Sequence, residues 1–230
     1  MLNVDVIING LPLYMSGAWL TVKLLAVSLS LGLAVAMPLA IMRASRSPLL
    51  SWPVWLFTFV VRGTPLLVQL FLLYYGLAQF EWMRQSWLWQ WFSSAWFCAV
   101  LAFGINTCAY TTEIIAGAIS ATSFGEIEAA KSLGMSRMTL YRRILLPSAL
   151  RRSLHAYSNE AIMMLHGTSL ASIVTLLDLT GAAREVNSRY YLPFEAFITA
   201  AVFYLGLTFI LVALFRLAEK RWLVHLLART

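Results

Sequence analysis

Glu128-Ala129-Ala130-Lys131-Ser132-Leu133-Gly134, followed by a basic stretch that ends in Arg142-Arg143-Ile144-Leu145-Leu146-Pro147, lies in a segment (120–153) too polar to cross a membrane. It is also too patterned to be a linker. The first part predicts a short helix that turns at Gly134, and Met138 to Leu146 predicts a second, amphipathic piece that stops at Pro147. Two alanines let a helix approach another surface closely, glycine permits the sharp turn, and proline terminates. A charged helical knob of this kind needs a partner.

What surrounds the knob is overwhelmingly apolar. Of 230 residues 60% are hydrophobic and 12% charged, with mean hydropathy +0.76. A soluble domain carries about 25% charged residues. Too little polar surface exists here to clothe a body in water. With Gly at 12, Pro at 7 and Cys at 2, collagenous, disordered and disulfide-stapled classes are excluded as well. A membrane-crossing helix needs about 20 mostly apolar residues. Five such stretches stand out, at about 16–42, 54–78, 95–119, 157–178 and 194–216, predicting an all-α integral membrane protein that forms one domain over 1–230. The N-terminus lacks a basic region and a small-residue cleavage site and carries Asp5, so it does not read as a signal peptide.

Charge orients the bundle. The net charge is +7. Arg43, Arg46, Lys131, Arg137, Arg142, Arg143, Arg151, Arg152, Arg216, Lys220, Arg221 and Arg229 place 12 of the 17 Lys and Arg on one side. The other connections hold only Arg84, Arg184 and Arg189. The positive-inside rule makes the richer side cytoplasmic, with the N-terminus periplasmic and the C-terminus cytoplasmic. Basic residues dispersed over three loops beside lipid do not form a nucleic-acid footprint. Tryptophans between Glu81 and Trp91 read as an interfacial anchor on the outer side.

The scarce charges at depth are the candidate functional residues. Arg62-Gly63-Thr64-Pro65 interrupts the second span. Such a break survives only inside a bundle or against a watery cavity, because an unpaired backbone group in lipid costs several kcal/mol. It is either a structural kink with Arg62 snorkelling or the wall of a substrate pocket. Asn159, Glu160 and His166 fall near one face of the fourth span, which continues through Thr168 and Ser169 to Asp178. Asn106, Tyr110 and Glu113 form a stripe on the third. Ser, Thr and Asn often serve packing alone, whereas an ionisable group at depth is a functional hypothesis by default. Glu113 and Glu160 could instead only pair with Arg62. Cys98 and Cys108 lie about 15 Å apart on one helix and cannot bond to each other. His155, His166 and His225 fit no metal or haem pattern, and no phosphate-binding Gly-x-x-x-x-Gly-Lys-Ser/Thr is present.

Glu128-Ala129-Ala130, Gly134, Ile144 and Leu146-Pro147, at their spacing, resemble the EAA loop of membrane subunits of bacterial ABC importers. Arg62-Gly63-Thr64-Pro65-Leu66-Leu67-Val68-Gln69 and Ala109-Tyr110-Thr111-Thr112-Glu113-Ile114 are similar to the polar amino-acid branch. His166-Gly167-Thr168-Ser169-Leu170 departs from the Lys-Asp-Thr-Ser-Leu of many members. Ala116 stands where many have Arg, and Glu126 where many have Gln. With Asn159-Glu160 and the ending Ala218-Glu219-Lys220-Arg221-Trp222-Leu223, these departures resemble the M subunit of histidine/lysine/arginine/ornithine permeases, arginine/ornithine uptake being the nearest.

The resemblance implies a type I importer permease in the bacterial inner membrane that is not itself an enzyme. Glu128, Ala129, Ala130, Gly134, Ile144 and Pro147 would couple it to a dimer of ATP-binding subunits, which hold the ATP and Mg; no cofactor or metal belongs to this chain. A homologous second permease and a periplasmic basic amino-acid binding protein complete the expected assembly. Arg62, Gly63, Thr64, Glu113, Glu160, His166, Thr168, Ser169 and Asp178 are the expected substrate-binding residues, Arg62 and Thr64 for the α-carboxylate and Glu160, with Glu113 or Asp178, for a cationic side chain. Fewer fixed cations suit a cationic cargo, since like charges in low dielectric are costly. The alternative is an ion-coupled secondary transporter, which usually carries an inverted repeat. A channel would need a filter. Neither explains the EAA-like loop.

Overall fold

A computed structural model describes residues 4–222; His225, Arg229 and Leu223 lie outside them, as does the side chain of Arg137. Among the described residues every regular element is helical. The first helix, α1 (Val4–Arg43), is 40 residues long, with Asp5 in its first turn and Arg43 in its last, the favourable signs for a helix dipole. At 1.5 Å per residue it is about 60 Å long, so the first apolar helix begins a dozen residues before the expected 16. Apolar periodicity marks only the part of a helix that needs lipid, and α1 continues past it.

The second apolar stretch is two helices. α2 (Pro48–Gly63) ends at Thr64, and α3 (Leu66–Phe71) runs on through a wide π turn (Leu72–Gly76) and a 3-10 turn (Leu77–Gln79). Their axes are bent by 99°. Two short helices, α4 (Glu81–Arg84) and α5 (Trp89–Phe92), carry the tryptophan-rich segment. α6 (Ala95–Ser120) starts where Ser94 Oγ accepts the Phe97 N–H, and it is the central element, packed along α1 and against α2 and α9. Fifteen of its 26 residues are buried. Small side chains permit this: Ala99, Ala102, Gly104, Ala109 and Ala116, with Thr107, Thr111 and Thr112, face inward. Apolar burial gives little drive between helices in lipid, so close van der Waals packing of small residues carries the association.

The knob follows as α7 (Phe124–Ser132) and α8 (Arg137–Leu140). A π turn (Tyr141–Leu145) then leads into α9 (Leu146–Gly167), a 3-10 stretch (Thr168–Val174), α10 (Leu179–Tyr190) and α11 (Pro193–Trp222). Pro147 therefore does not stop a helix, contrary to the sequence reading. It follows directly on the π turn with helical backbone before it (Leu145 φ −66°, ψ −52°), so the helix runs through it. The wide turn before it, closed by the Leu146 N–H on the Tyr141 carbonyl, leaves room for the ring. Polar residues from Leu146 onward thus belong to a helix that the apolar pattern dates only from Tyr157.

Among the described residues three helices are each long and apolar enough to cross a membrane, and each of two bent pairs makes up one more if taken as one broken span. Large apolar side chains such as Trp19, Leu31, Val35, Phe59, Val202, Phe209 and Leu214 lie on the outside.

Candidate functional site

The break in the second stretch is held by side chains. The last carbonyls of α2 have no intrahelical donors. Gln69 Nε2 donates to the carbonyls of Val61 (2.7 Å) and Thr64 (3.1 Å) and to Thr64 Oγ1 (2.9 Å). Thr64 Oγ1 donates in turn to the Val60 carbonyl at 3.0 Å. Gln69 Oε1 accepts from Asn106 Nδ2 at 3.2 Å, tying the break to α6.

Beside this break opens a cavity of about 580 Å³, within the usual range for small-molecule sites. Arg62, Thr64, Asn106, Tyr110, Glu160 and His166 give it polar groups, and Met163, Met164 and Leu170 an apolar floor. The Arg62 guanidinium lies 5.1 Å from the centre of the Tyr110 ring, a cation–π placement. Arg62 is exposed, whereas Glu160 on α9 is buried. Asn106 spends its amide N–H on Gln69 and keeps Oδ1 as an acceptor. His166 Nε2 is 3.5 Å from the Thr208 hydroxyl of α11.

Five of the nine expected substrate residues, Arg62, Gly63, Thr64, Glu160 and His166, line this cavity. The other four are placed elsewhere. Glu113 accepts from Arg43 Nε at 2.8 Å and from Thr58 Oγ1 at 2.6 Å, and so pairs with Arg43 rather than Arg62. Thr168 is fully buried and donates to the Leu165 carbonyl. Ser169 donates to the carbonyl of His166 at 2.7 Å. Asp178 caps α10: its oxygens accept from the N–H groups of Thr180 (3.2 Å) and Gly181 (3.0 Å) and from the Tyr204 hydroxyl (3.2 Å). Gln69, Asn106 and Tyr110 were not among the nine; the conjunction of a broken helix with orphan carbonyls and a nearby Gln was the available signal.

The second assembly is the knob. Ser123 Oγ accepts the Glu126 N–H to start α7. Gly134 ends it with φ +74°, where the Gly134 N–H meets the Lys131 carbonyl and the Met135 N–H the Ala130 carbonyl. These two bonds form a Schellman cap. Ala130 is buried with Leu140 and Leu145, and Ile127, Met135, Tyr141 and Ile144 pack round them. Ala130 and Ile144 thus build the knob's own core, while Glu128 and Ala129 face out. Phe124, Leu133 and Met138 are 70–77% exposed, large apolar side chains turned outward from a polar element. Arg152 joins the knob side of α9 to the end of α6, donating to the Ala118 carbonyl (2.9 Å), Thr122 Oγ1 (2.6 Å) and Ser148 Oγ (2.7 Å).

A helical membrane body with a broken helix beside a polar cavity, carrying a capped two-helix knob with exposed apolar side chains, defines a transport subunit worked by a partner. The chain belongs to the binding-protein-dependent transport system inner membrane component family, whose profile matches residues 28–224. It is 50% identical over 211 residues to the histidine/lysine/arginine/ornithine transport system permease protein HisM of Escherichia coli K12, covering 91% of this chain and 89% of that one. It is 42% identical over 229 residues to the nopaline transport system permease protein NocM of Agrobacterium fabrum, covering 99% and 95%. A crystal structure of an amino acid ABC transporter with histidines superposes with TM-score 0.82 at 34% identity, covering 94% of this chain and 96% of that one. The MetNI methionine ABC transporter shares the fold, at TM-score 0.64 and 20% identity over 92% and 94%. The protein is therefore a permease subunit of an ABC importer in the inner membrane, a transport component rather than an enzyme. Nucleotide binding belongs to a partner ATPase, and the family works with a substrate-binding protein.

Proposed function

We propose that this subunit carries basic amino acids of the arginine/ornithine/lysine/histidine class from periplasm to cytoplasm, and that the cavity beside the Arg62–Pro65 break is the transient substrate site. The name of HisM supports the cargo class. The observation that carries the site is that one cavity is walled by a guanidinium, Arg62, and a carboxylate, Glu160. A basic amino acid presents a carboxylate at one end and a cation at the other. Arg62, with Thr64, receives the α-carboxylate in a charge-assisted hydrogen bond. Glu160 meets the side-chain cation, and Asn106 Oδ1 offers an acceptor to the α-amino group. Tyr110 steadies Arg62 across the cavity mouth.

Five spans, two of them the bent pairs, put the N-terminus in the periplasm and the basic turns and knob in the cytoplasm. A homologous second permease completes the membrane body. The ATPase dimer receives the knob, whose exposed residues include Glu128, Ala129, Phe124, Leu133 and Met138. Closure of the ATPases on ATP pushes the knob, and Arg152 passes the displacement from α9 to α6. Both walls of the cavity sit on elements this motion reaches.

Arginine uptake by the intact complex in proteoliposomes tests the site. Glu160→Gln is expected to lower uptake of arginine at least tenfold while ATP hydrolysis persists; unchanged affinity and rate would overturn the assignment. Glu128→Lys is expected to leave the membrane pair assembled and disconnect uptake from ATP hydrolysis. Normal transport by that variant would remove the docking role.

A further inference from the structure

The turn between α1 and α2 encloses a second polar hollow of about 270 Å³, lined by Arg43, Ser45, Arg46, Ser51, Trp52 and Trp55 together with Pro48. It shares no residue with the substrate cavity or the knob. Arg43 spends its Nε on Glu113 at 2.8 Å, and its Nη1 reaches Ser51 Oγ only at 3.5 Å. Arg46 is exposed and, among the described residues, forms no ion pair with a carboxylate within 4.0 Å. Two guanidiniums and one carboxylate leave a surplus of one positive charge, framed by two serine hydroxyls. Trp52 is 60% exposed and Trp55 40%, and Trp55 stacks on Phe59 at 5.2 Å. Positions 52, 55 and 59 follow helical spacing, so an apolar aromatic strip leads along α2 away from the hollow.

We propose that this hollow holds the phosphodiester headgroup of an anionic phospholipid, with an acyl chain lying along Trp52, Trp55 and Phe59. A guanidinium offers a planar fork of donors that matches phosphate oxygens. One phosphodiester brings one negative charge and cancels the surplus. A zwitterionic headgroup also brings an ammonium, which the two arginines repel. Indole rings sit at headgroup level in a bilayer, and basic pockets between spanning helices on the cytoplasmic side are where anionic headgroups are recognised. A general excess of positive charge on the cytoplasmic side would require Arg46 to be in the turn. It would not require a hollow with serines at its wall and an aromatic strip at its exit. The inference rests on reading α1 and the α2–α3 pair as spans joined on the cytoplasmic side.

The intact transporter, reconstituted in nanodiscs of phosphatidylglycerol and phosphatidylethanolamine in equal parts, is released and its retained lipids are counted by native mass spectrometry. Wild type is expected to retain phosphatidylglycerol in preference. Arg46→Gln, at an exposed position, is expected to lower that retention about fivefold, the factor for one basic residue at a membrane surface. Arg84→Gln serves as the control and is expected to change nothing. Equal retention of the two lipids by wild type, or wild-type retention by Arg46→Gln, overturns the proposal. Release of the lipid by added inorganic phosphate assigns the hollow to a soluble anion and overturns it too. So does a photo-crosslinker at position 49, exposed beside the hollow and not lining it, that captures the second permease and no lipid. Labelling of Ser45→Cys in spheroplasts by an impermeant maleimide separates the underlying reading. Reaction from outside would overturn the orientation yet leave the preference for phosphatidylglycerol standing. Reaction only after permeabilisation supports both.

Discussion

Two breaks interrupt the apolar helices of this protein, and they do opposite things with their polar groups. At Arg62–Pro65 the axis turns through 99°, the flanking residues are exposed, and a cavity opens beside the freed backbone. At Thr175–Asp178 the axis turns through 47°, and although Thr175 and Leu177 are exposed the ionisable residue is packed away. Thr175 takes a left-handed φ of 70°, Asp178 is fully buried, and its carboxylate is consumed by the start of α10 and by Tyr204. α1 presses against the second break: a Cβ on Gly17 would lie 2.8 Å from the Asp178 carbonyl oxygen. Around the first break a Cβ on Gly63 would meet nothing within 4 Å. The same signature, a helix break with an ionisable residue at depth, thus yields a cavity wall in one place and a buried helix cap in the other. The deciding quantity is whether neighbouring helices leave polar atoms any capacity for a ligand.

Substitutions at the two breaks should therefore separate folding from transport. Gly17→Leu should have the largest effect, since backbone lies where the side chain must go; loss of folded transporter in size-exclusion chromatography is the expected outcome. Gly17→Ala should cost about 1–3 kcal/mol by overpacking, read as a lowered thermal midpoint of the purified complex. Asp178→Ala removes a helix cap and a partner of half-buried Tyr204, together about 2–3 kcal/mol. Asp178→Asn should restore most of that, because Asn also caps, and arginine KM should stay at the wild-type value in both. A raised KM with unchanged stability would place Asp178 in the substrate site and erase the contrast.

At the open break the pattern should invert. Arg62→Ala should raise the KM for arginine about tenfold, the loss of one charge-assisted hydrogen bond, with a thermal midpoint close to wild type. Gln69→Leu should cost about 1–2 kcal/mol by leaving α2 carbonyls unpaired and lower uptake as well, since Gln69 shapes the cavity wall. The smallest effect belongs to Gly63→Ala, which should leave the thermal midpoint within the scatter of the measurement. A drop comparable to that of Gly17→Ala would show that the first break is packed as tightly as the second.

The knob was legible before any coordinates. The Glu128-Ala129-Ala130 run and Gly134 specify a helix that turns at the glycine, and the structure forms it; the cap supplied by Ser123 went unread. Pro147 was misread because a proline's effect depends on the turn before it, and the wide turn at Tyr141–Leu145 is not written in any single residue. For the same reason the start of α9 was placed too late: hydropathy senses lipid, not helix. The cavity was half legible. Arg62 and Glu160 stood out as charges at depth, whereas Glu113 and Asp178 looked the same in one dimension. Arg43 for Glu113, 70 positions away, and Tyr204 for Asp178, 26 away, are partners that only packing supplies.

The sequence by itself determined the class of protein, the apolar helices, the basic bias and the helical knob, because hydropathy, charge and capping act over one helix or one turn. Tertiary structure alone decided which buried charges remain available to a cargo. Availability is a sum over every donor and acceptor within hydrogen-bond reach, and in a helical bundle those neighbours come from distant stretches of chain.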